Sequence, residues 1–109
     1  MVRRLNESEN TDILNDIYNI LAEYEGTWKN PKTGWTGDCE IYQRDLDDGS
    51  YVFSLVFGDN DSEPDEILAV PSKSKYTIYP YNGMPIFTHS LDELKRGLRK
   101  EYSYLRKVK

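Results

Sequence analysis

A single α+β domain is the fold class this sequence predicts, and three observations predict it. An amphipathic helical pattern lies near the start, a helix-capping signal lies near the end, and between them run short apolar stretches broken by turn residues. The chain has 109 residues, room for one domain. The expected order is a helix, a four- to five-stranded antiparallel sheet and a second helix, with the helices on one face. Residues 1–9 are polar and without periodicity and are expected to form a flexible N-terminus; residues 10–109 form the domain.

The first helix is expected to begin at Asn10 or Thr11, either of which can cap, with Asp12 at the positive end of the helix dipole. At roughly 100° per residue, Ile13, Leu14, Ile17, Tyr18, Ile20, Leu21 and Tyr24 share one arc. Gly26 is the expected stop.

From Thr27 to Gly37 the chain is dense in turn residues and reads as a loop. Its two tryptophans, Trp28 and Trp35, are expected to close one end of the core rather than stand in water. Gly26-Thr27-Trp28 after a helix resembles the Gly-x-Trp opening of lipocalin-like and fatty-acid-binding barrels. The resemblance covers three residues, and the chain is too short for an eight-strand barrel, so that fold is not adopted.

Two strands, Cys39–Leu46 and Ser50–Phe57, flank Asp47-Asp48-Gly49. A two-residue turn would set Glu40 against Phe57 and Arg44 against Phe53. A three-residue loop with Gly49 left-handed sets Cys39 against Phe57, Ile41 against Leu55 and Gln43 against Phe53. The second register pairs apolar with apolar and is the expected one. Its inner face is Cys39, Ile41, Tyr51, Phe53, Leu55 and Phe57; its outer face, from Glu40 to Val56, is half polar.

Ile67–Val70 is a third strand, stopped by Pro71. Tyr76–Tyr79 and Ile86–His89 read as two more around Asn82-Gly83, with a wide loop from Pro80 to Pro85 because neither proline can donate to a ladder. Ser90-Leu91-Asp92-Glu93 is a capping box. The helix it opens places Leu91, Leu94, Leu98, Tyr102 and Leu105 on one arc, and Gly97 inside it implies either close packing or a weak point.

Catalytic and cofactor chemistry is scarce. His89 is the only histidine and stands just before the capping box, where an incidental role is expected. Cys39 lies on an apolar strand face with no base beside it and reads as a small core residue. A lone cysteine also excludes an internal disulfide and a Cys-cluster zinc site. No phosphate-binding glycine motif and no nucleophile elbow occurs. Counted from Asp59 as a calcium loop, the positions that need Gly and Glu hold Pro64 and Val70, so the match fails. The expectation is no enzyme, no cofactor and no metal.

No apolar run approaches the roughly 18 residues of a membrane span, and the opening Met-Val-Arg-Arg-Leu-Asn-Glu lacks a secretory apolar stretch. A cytoplasmic location is expected.

Charge is the most informative feature. Residues 1–90 carry a net charge of −9 and residues 91–109 a net charge of +4, for −5 in all. Asp59, Asp61, Glu63, Asp65 and Glu66 fall in one loop without a base, and Asp45, Asp47 and Asp48 sit at another turn. A negative surface of this kind speeds and orients association with a basic partner. The leading expectation is therefore a small acidic protein-binding module, an inhibitor or antagonist of the immunity-protein or phage anti-defence type. Its partner would be a protein with a basic surface, a nucleic-acid enzyme among them. An alternative is a single-stranded nucleic-acid binder that uses Lys95, Arg96, Arg99, Lys100 and Arg106 for phosphate and Tyr76, Tyr79 and Tyr81 for stacking. A third is a small-molecule pocket lined by Trp28, Trp35 and tyrosines. A homodimer stays open.

Overall fold

The computed structural model describes residues 7–58 and 63–108. Helix α1 spans Glu7–Ala22 and is followed by strands β1 (Gly26–Lys29), β2 (Thr36–Asp45) and β3 (Tyr51–Phe57). Strands β4 (Asp65–Val70), β5 (Lys75–Tyr79) and β6 (Ile86–Thr88) come next, then helix α2 (Leu91–Glu101) and strand β7 (Arg106–Lys107). The class is α+β, as the sequence predicts, but the sheet has seven strands rather than four or five, in the order β6-β5-β4-β3-β2-β1-β7. Every neighbouring pair is antiparallel. Strands β1 to β6 form a meander. Helix α2 leaves from the β6 edge, and β7 then pairs with β1 at the opposite edge.

The two unforeseen strands have a common cause. β1 holds one large apolar residue, Trp28, and β7 is two cations; neither shows a strand pattern, and each exists because a neighbour supplies its ladder, the ten-residue β2 for β1 and β1 in turn for β7. Helix α1 also departs from expectation. It begins at Glu7, so Asn10 and Thr11 lie inside it rather than capping it. Of the expected flexible terminus, residues 1–6 lie outside the described residues. At its other end α1 stops at Ala22, and Tyr24 lies in the turn that follows, donating its amide to Leu21 O at 2.8 Å. Gly26 does not end the helix but opens β1, and its φ of +123° bends the chain into the strand.

The β2–β3 register is the expected one: Cys39 opposes Phe57, Ile41 opposes Leu55 and Gln43 opposes Phe53. Gly49 is left-handed, with φ +87°. Both helices cover the same face. Ile17 and Leu21 of α1 and Leu94 and Leu98 of α2 join Phe53, Leu55, Ile67 and Ile78 in one buried cluster. Val52 and Val56 are buried on the other face, where Arg44, Leu68 and Glu40 are their cross-strand neighbours.

Ser90 caps α2, accepting from the Glu93 amide at 3.1 Å, and Glu93 reaches back to accept from the His89 amide at 2.8 Å. Gly97 marks close packing rather than a weak point. A Cβ there would stand 3.1 Å from Ile78 Cδ1 and 3.6 Å from Ile86 Cγ2, so the helix lies directly on β5 and β6. Among the described residues no helix is long and apolar enough to cross a membrane.

Candidate functional site

Beyond the cover of the two helices, one end of the inner face is open. The β1–β2 loop, the end of β3, the start of β4, the β5–β6 loop and the turn after α2 converge there around a cavity of about 430 Å³.

Trp35 enters the cavity wall from the β1–β2 loop, and the sequence explains how it is held. Asn30 donates its amide to Trp35 O at 2.8 Å, and the Gly34 amide bonds to Asn30 O at 2.8 Å. Gly34 takes φ +81°, and the loop closes on itself. The indole then lies over two glycines. A Cβ on Gly37 would fall 2.5 Å from Trp35 Cζ2, and one on Gly58 would fall 3.5 Å from the same atom. Phe57 meets the indole edge-on, with ring centroids 6.4 Å apart. Trp35 remains 37% exposed, so it does not close the core as expected. Trp28 does: it is buried, donates Nε1 to Tyr24 O at 2.8 Å and stacks on Tyr24.

Carboxylates supply the polar lining. Asp65, opposite Leu55, accepts from the Tyr102 hydroxyl at Oδ2 (2.7 Å) and from the Tyr81 amide at Oδ1 (2.8 Å). Burial first, then the Asp65 charge, pushes the Tyr102 phenol well above its ordinary range. Glu101, the last residue of α2, has its carboxyl raised by burial and then by repulsion from Asp65. Tyr104 follows the same causes in the same order, with Glu101 a third. The Tyr81 phenol is raised chiefly by its hydrogen bond to Glu63. Among the described residues that line the cavity there is no Lys, Arg or His.

The structure divides the predicted acidic set. Glu63 and Asp65 line the cavity. Glu66, one residue on, falls on the opposite face of the strand, where it accepts from the Ser54 hydroxyl at 3.3 Å. Asp45, Asp47 and Asp48 lie at the other end of β2 and β3. There Asp48 accepts from both the Ser50 hydroxyl and the Ser50 amide, which hold its carboxyl below the ordinary range. Asp59 and Asp61 lie outside the described residues.

The predicted nucleic-acid set does not assemble into one surface. Tyr76 is 5% exposed and belongs to the core. Tyr79 pairs with Glu66 on the face away from α2, and Tyr81 lines the cavity. Of the cations, Arg99 pairs with Glu23 at 3.8 Å, and Arg106 bonds to the carbonyls of Ser103 and Leu105. Lys107 donates to Glu23 O at 2.6 Å and stands over Trp28. Arg96 and Lys100 are exposed and Lys95 is half-buried.

Cys39 is buried, and its thiol is pushed up to about 12 by desolvation and then by Glu25. His89 lines a second cavity, of about 370 Å³, with Lys73, Lys75 and Phe87. Among the described residues no group of three or more His, Cys, Asp or Glu could hold a metal ion.

Sequence reasoning missed Glu101 and Tyr104. Their signal was available: a carboxylate at the end of a basic helix, three residues before a tyrosine that the leucine arc leaves outside. The chain matches no protein-family model, no curated protein and no solved structure.

Proposed function

We propose that this chain is a non-enzymatic protein-binding module whose carboxylate-bearing cavity end meets a basic surface of another protein. The observation that carries the reading is the lining of that cavity. Glu63, Asp65 and Glu101 gather there with exposed aromatic rings and, among the described residues, no cation in the lining. Such a site attracts positive charge at long range and offers apolar contact at short range.

An inhibitor or antagonist of a basic protein, such as a nucleic-acid enzyme, is the form this module takes, acting in the cytoplasm. Two placements support a binding role over catalysis. The Cys39 thiol is buried, and His89 lines a different cavity from Glu63, Asp65 and Glu101.

Affinity capture from the native host, repeated after nuclease treatment, tests the reading. A protein retained after nuclease and released by rising salt is the expected result. Loss of the captured protein on nuclease treatment would show that nucleic acid is the ligand.

A further inference from the structure

We propose that the cavity walled by Trp35, Phe57, Tyr81 and Tyr104, with Asp65 and Glu101 in its lining, is a pocket for the guanidinium group of an arginine side chain presented by the partner. This rests on the basic-partner reading above and adds the group that is inserted.

The aromatic wall comes first. Trp35, Tyr81 and Tyr104 are 37%, 53% and 55% exposed, and all three border this one cavity. Single exposed aromatic residues are ordinary, but several around one concavity form a contact surface. One ring of the wall is also held in place. Trp35 is seated on Gly37 and Gly58 and held by a loop closed through Asn30, so little conformational entropy is lost when a ligand arrives. The volume of about 430 Å³ falls in the range of ligand cavities.

Charge selects a cation. Asp65 and Glu101 repel each other across the lining, and burial adds to the cost of Glu101 being ionised. Among the described residues nothing donates a hydrogen bond to the Glu101 carboxylate. Each Asp65 oxygen accepts one bond and keeps a second lone pair. A bound cation would relieve the repulsion and fill those sites.

A guanidinium fits this mixture better than an ammonium. It is planar, weakly hydrated and able to stack on aromatic faces while its edge donates to a carboxylate. An ammonium would have to surrender more of its hydration to enter the same rings.

Titration of the whole chain with acetyl-Gly-Arg-Gly-amide, followed by amide and indole NMR shifts, tests the proposal. Saturable shifts at the Trp35 indole N–H and at Tyr81 and Tyr104 are expected. The citrulline peptide, neutral but of the same shape, should bind about ten-fold more weakly or worse, as the loss of a charged hydrogen-bond partner implies. Glu101→Gln and, separately, the exposed-ring variant Tyr104→Ala should each weaken the arginine peptide while leaving the rest of the spectrum in place. Equal binding of the citrulline or the lysine peptide would overturn the guanidinium assignment. Ethylguanidinium chloride binding as tightly as the peptide would overturn the protein source and make the ligand a small molecule. Shifts that are absent, or centred on Asp47 and Asp48, would overturn the pocket while leaving the charge-steered association of the module intact. Failure of that association would instead appear as nuclease-sensitive capture.

Discussion

Tyr102 donates its hydroxyl to Asp65 Oδ2 across 2.7 Å, and this bond joins the turn after α2 to the first residue of β4. The ring itself is buried against Phe57 and Tyr24, so a core side chain reaches the cavity lining with its polar end. The candidate site is thus anchored from beneath by the core. Removing the hydroxyl in Tyr102→Phe keeps the packing and leaves Asp65 with the Tyr81 amide alone. The expected loss is about 1.5–3 kcal/mol, the range for a hydrogen bond to a charged group, read as a lower urea midpoint. An unchanged midpoint would show that water replaces the phenol without cost.

Gly97 is where α2 touches the sheet. A Cβ at 3.1 Å from Ile78 Cδ1 is tight, but Ile78 can turn that methyl aside, so Gly97→Ala should be nearly neutral once its helix-propensity gain of ~1 kcal/mol is included. Gly97→Val adds branches that also meet Ile86 and Thr88, and should cost about 1–3 kcal/mol. Equal midpoints for the two variants would show that the helix sits farther from β5 than described.

Leu55 is 1% exposed and stands between Ile41 and Asp65 in the sheet. Leu55→Ala should lose about 2–5 kcal/mol through lost burial and the cavity left behind. Ser90→Ala should lose only ~0.5–2 kcal/mol, the value of an N-cap. Chemical denaturation of both variants in parallel checks the ranking.

The two residues just compared were legible in the sequence, and the reason is locality. The β2–β3 register follows from pairing Ile41 with Leu55 rather than Glu40 with Phe57. The Ser90 cap is written in four consecutive residues. What the sequence did not disclose depends on distant neighbours. Lys29 is in a strand because Thr36 is opposite it, and Arg106 because Lys29 is. The site was half legible for the same reason. Glu63 and Asp65 stand out as acids in a loop, but nothing local tells that Trp35, Glu101 and Tyr104 meet them, or that Glu66 turns to the other face. A charge run read along the chain groups residues that a strand's alternation separates.

Cys39 carries a pH signature. Its thiol rises from an ordinary value of 9.0 to about 12 in the fold, so above pH 9 the unfolded chain ionises while the folded chain stays protonated. Stability from this group is full below its unfolded value and is lost as pH rises through the folded one. Tyr102, raised in the same direction, adds to the same alkaline loss. Urea midpoints at neutral pH and near pH ~10.5 should fall for the wild type and fall less for Cys39→Ala. Thiol alkylation at neutral pH should be slow in the native protein and fast after unfolding.

Charge reversal separates the acidic end from the basic helix. Association rates of the nuclease-resistant partner would be measured over a series of salt concentrations for two variants, Glu63→Lys with Glu101→Lys, and Lys95→Glu with Arg99→Glu and Lys100→Glu. The expected result is slower association for the first variant, by a margin that shrinks as screening shortens to roughly 8 Å at physiological ionic strength. The second variant should associate nearly as fast as the wild type. The Arg99–Glu23 pair it breaks is more than half exposed on both sides and contributes little to the fold. The opposite ranking, with the helix variant losing the partner and the cavity variant keeping it, would contradict the assignment of function to the carboxylate cavity.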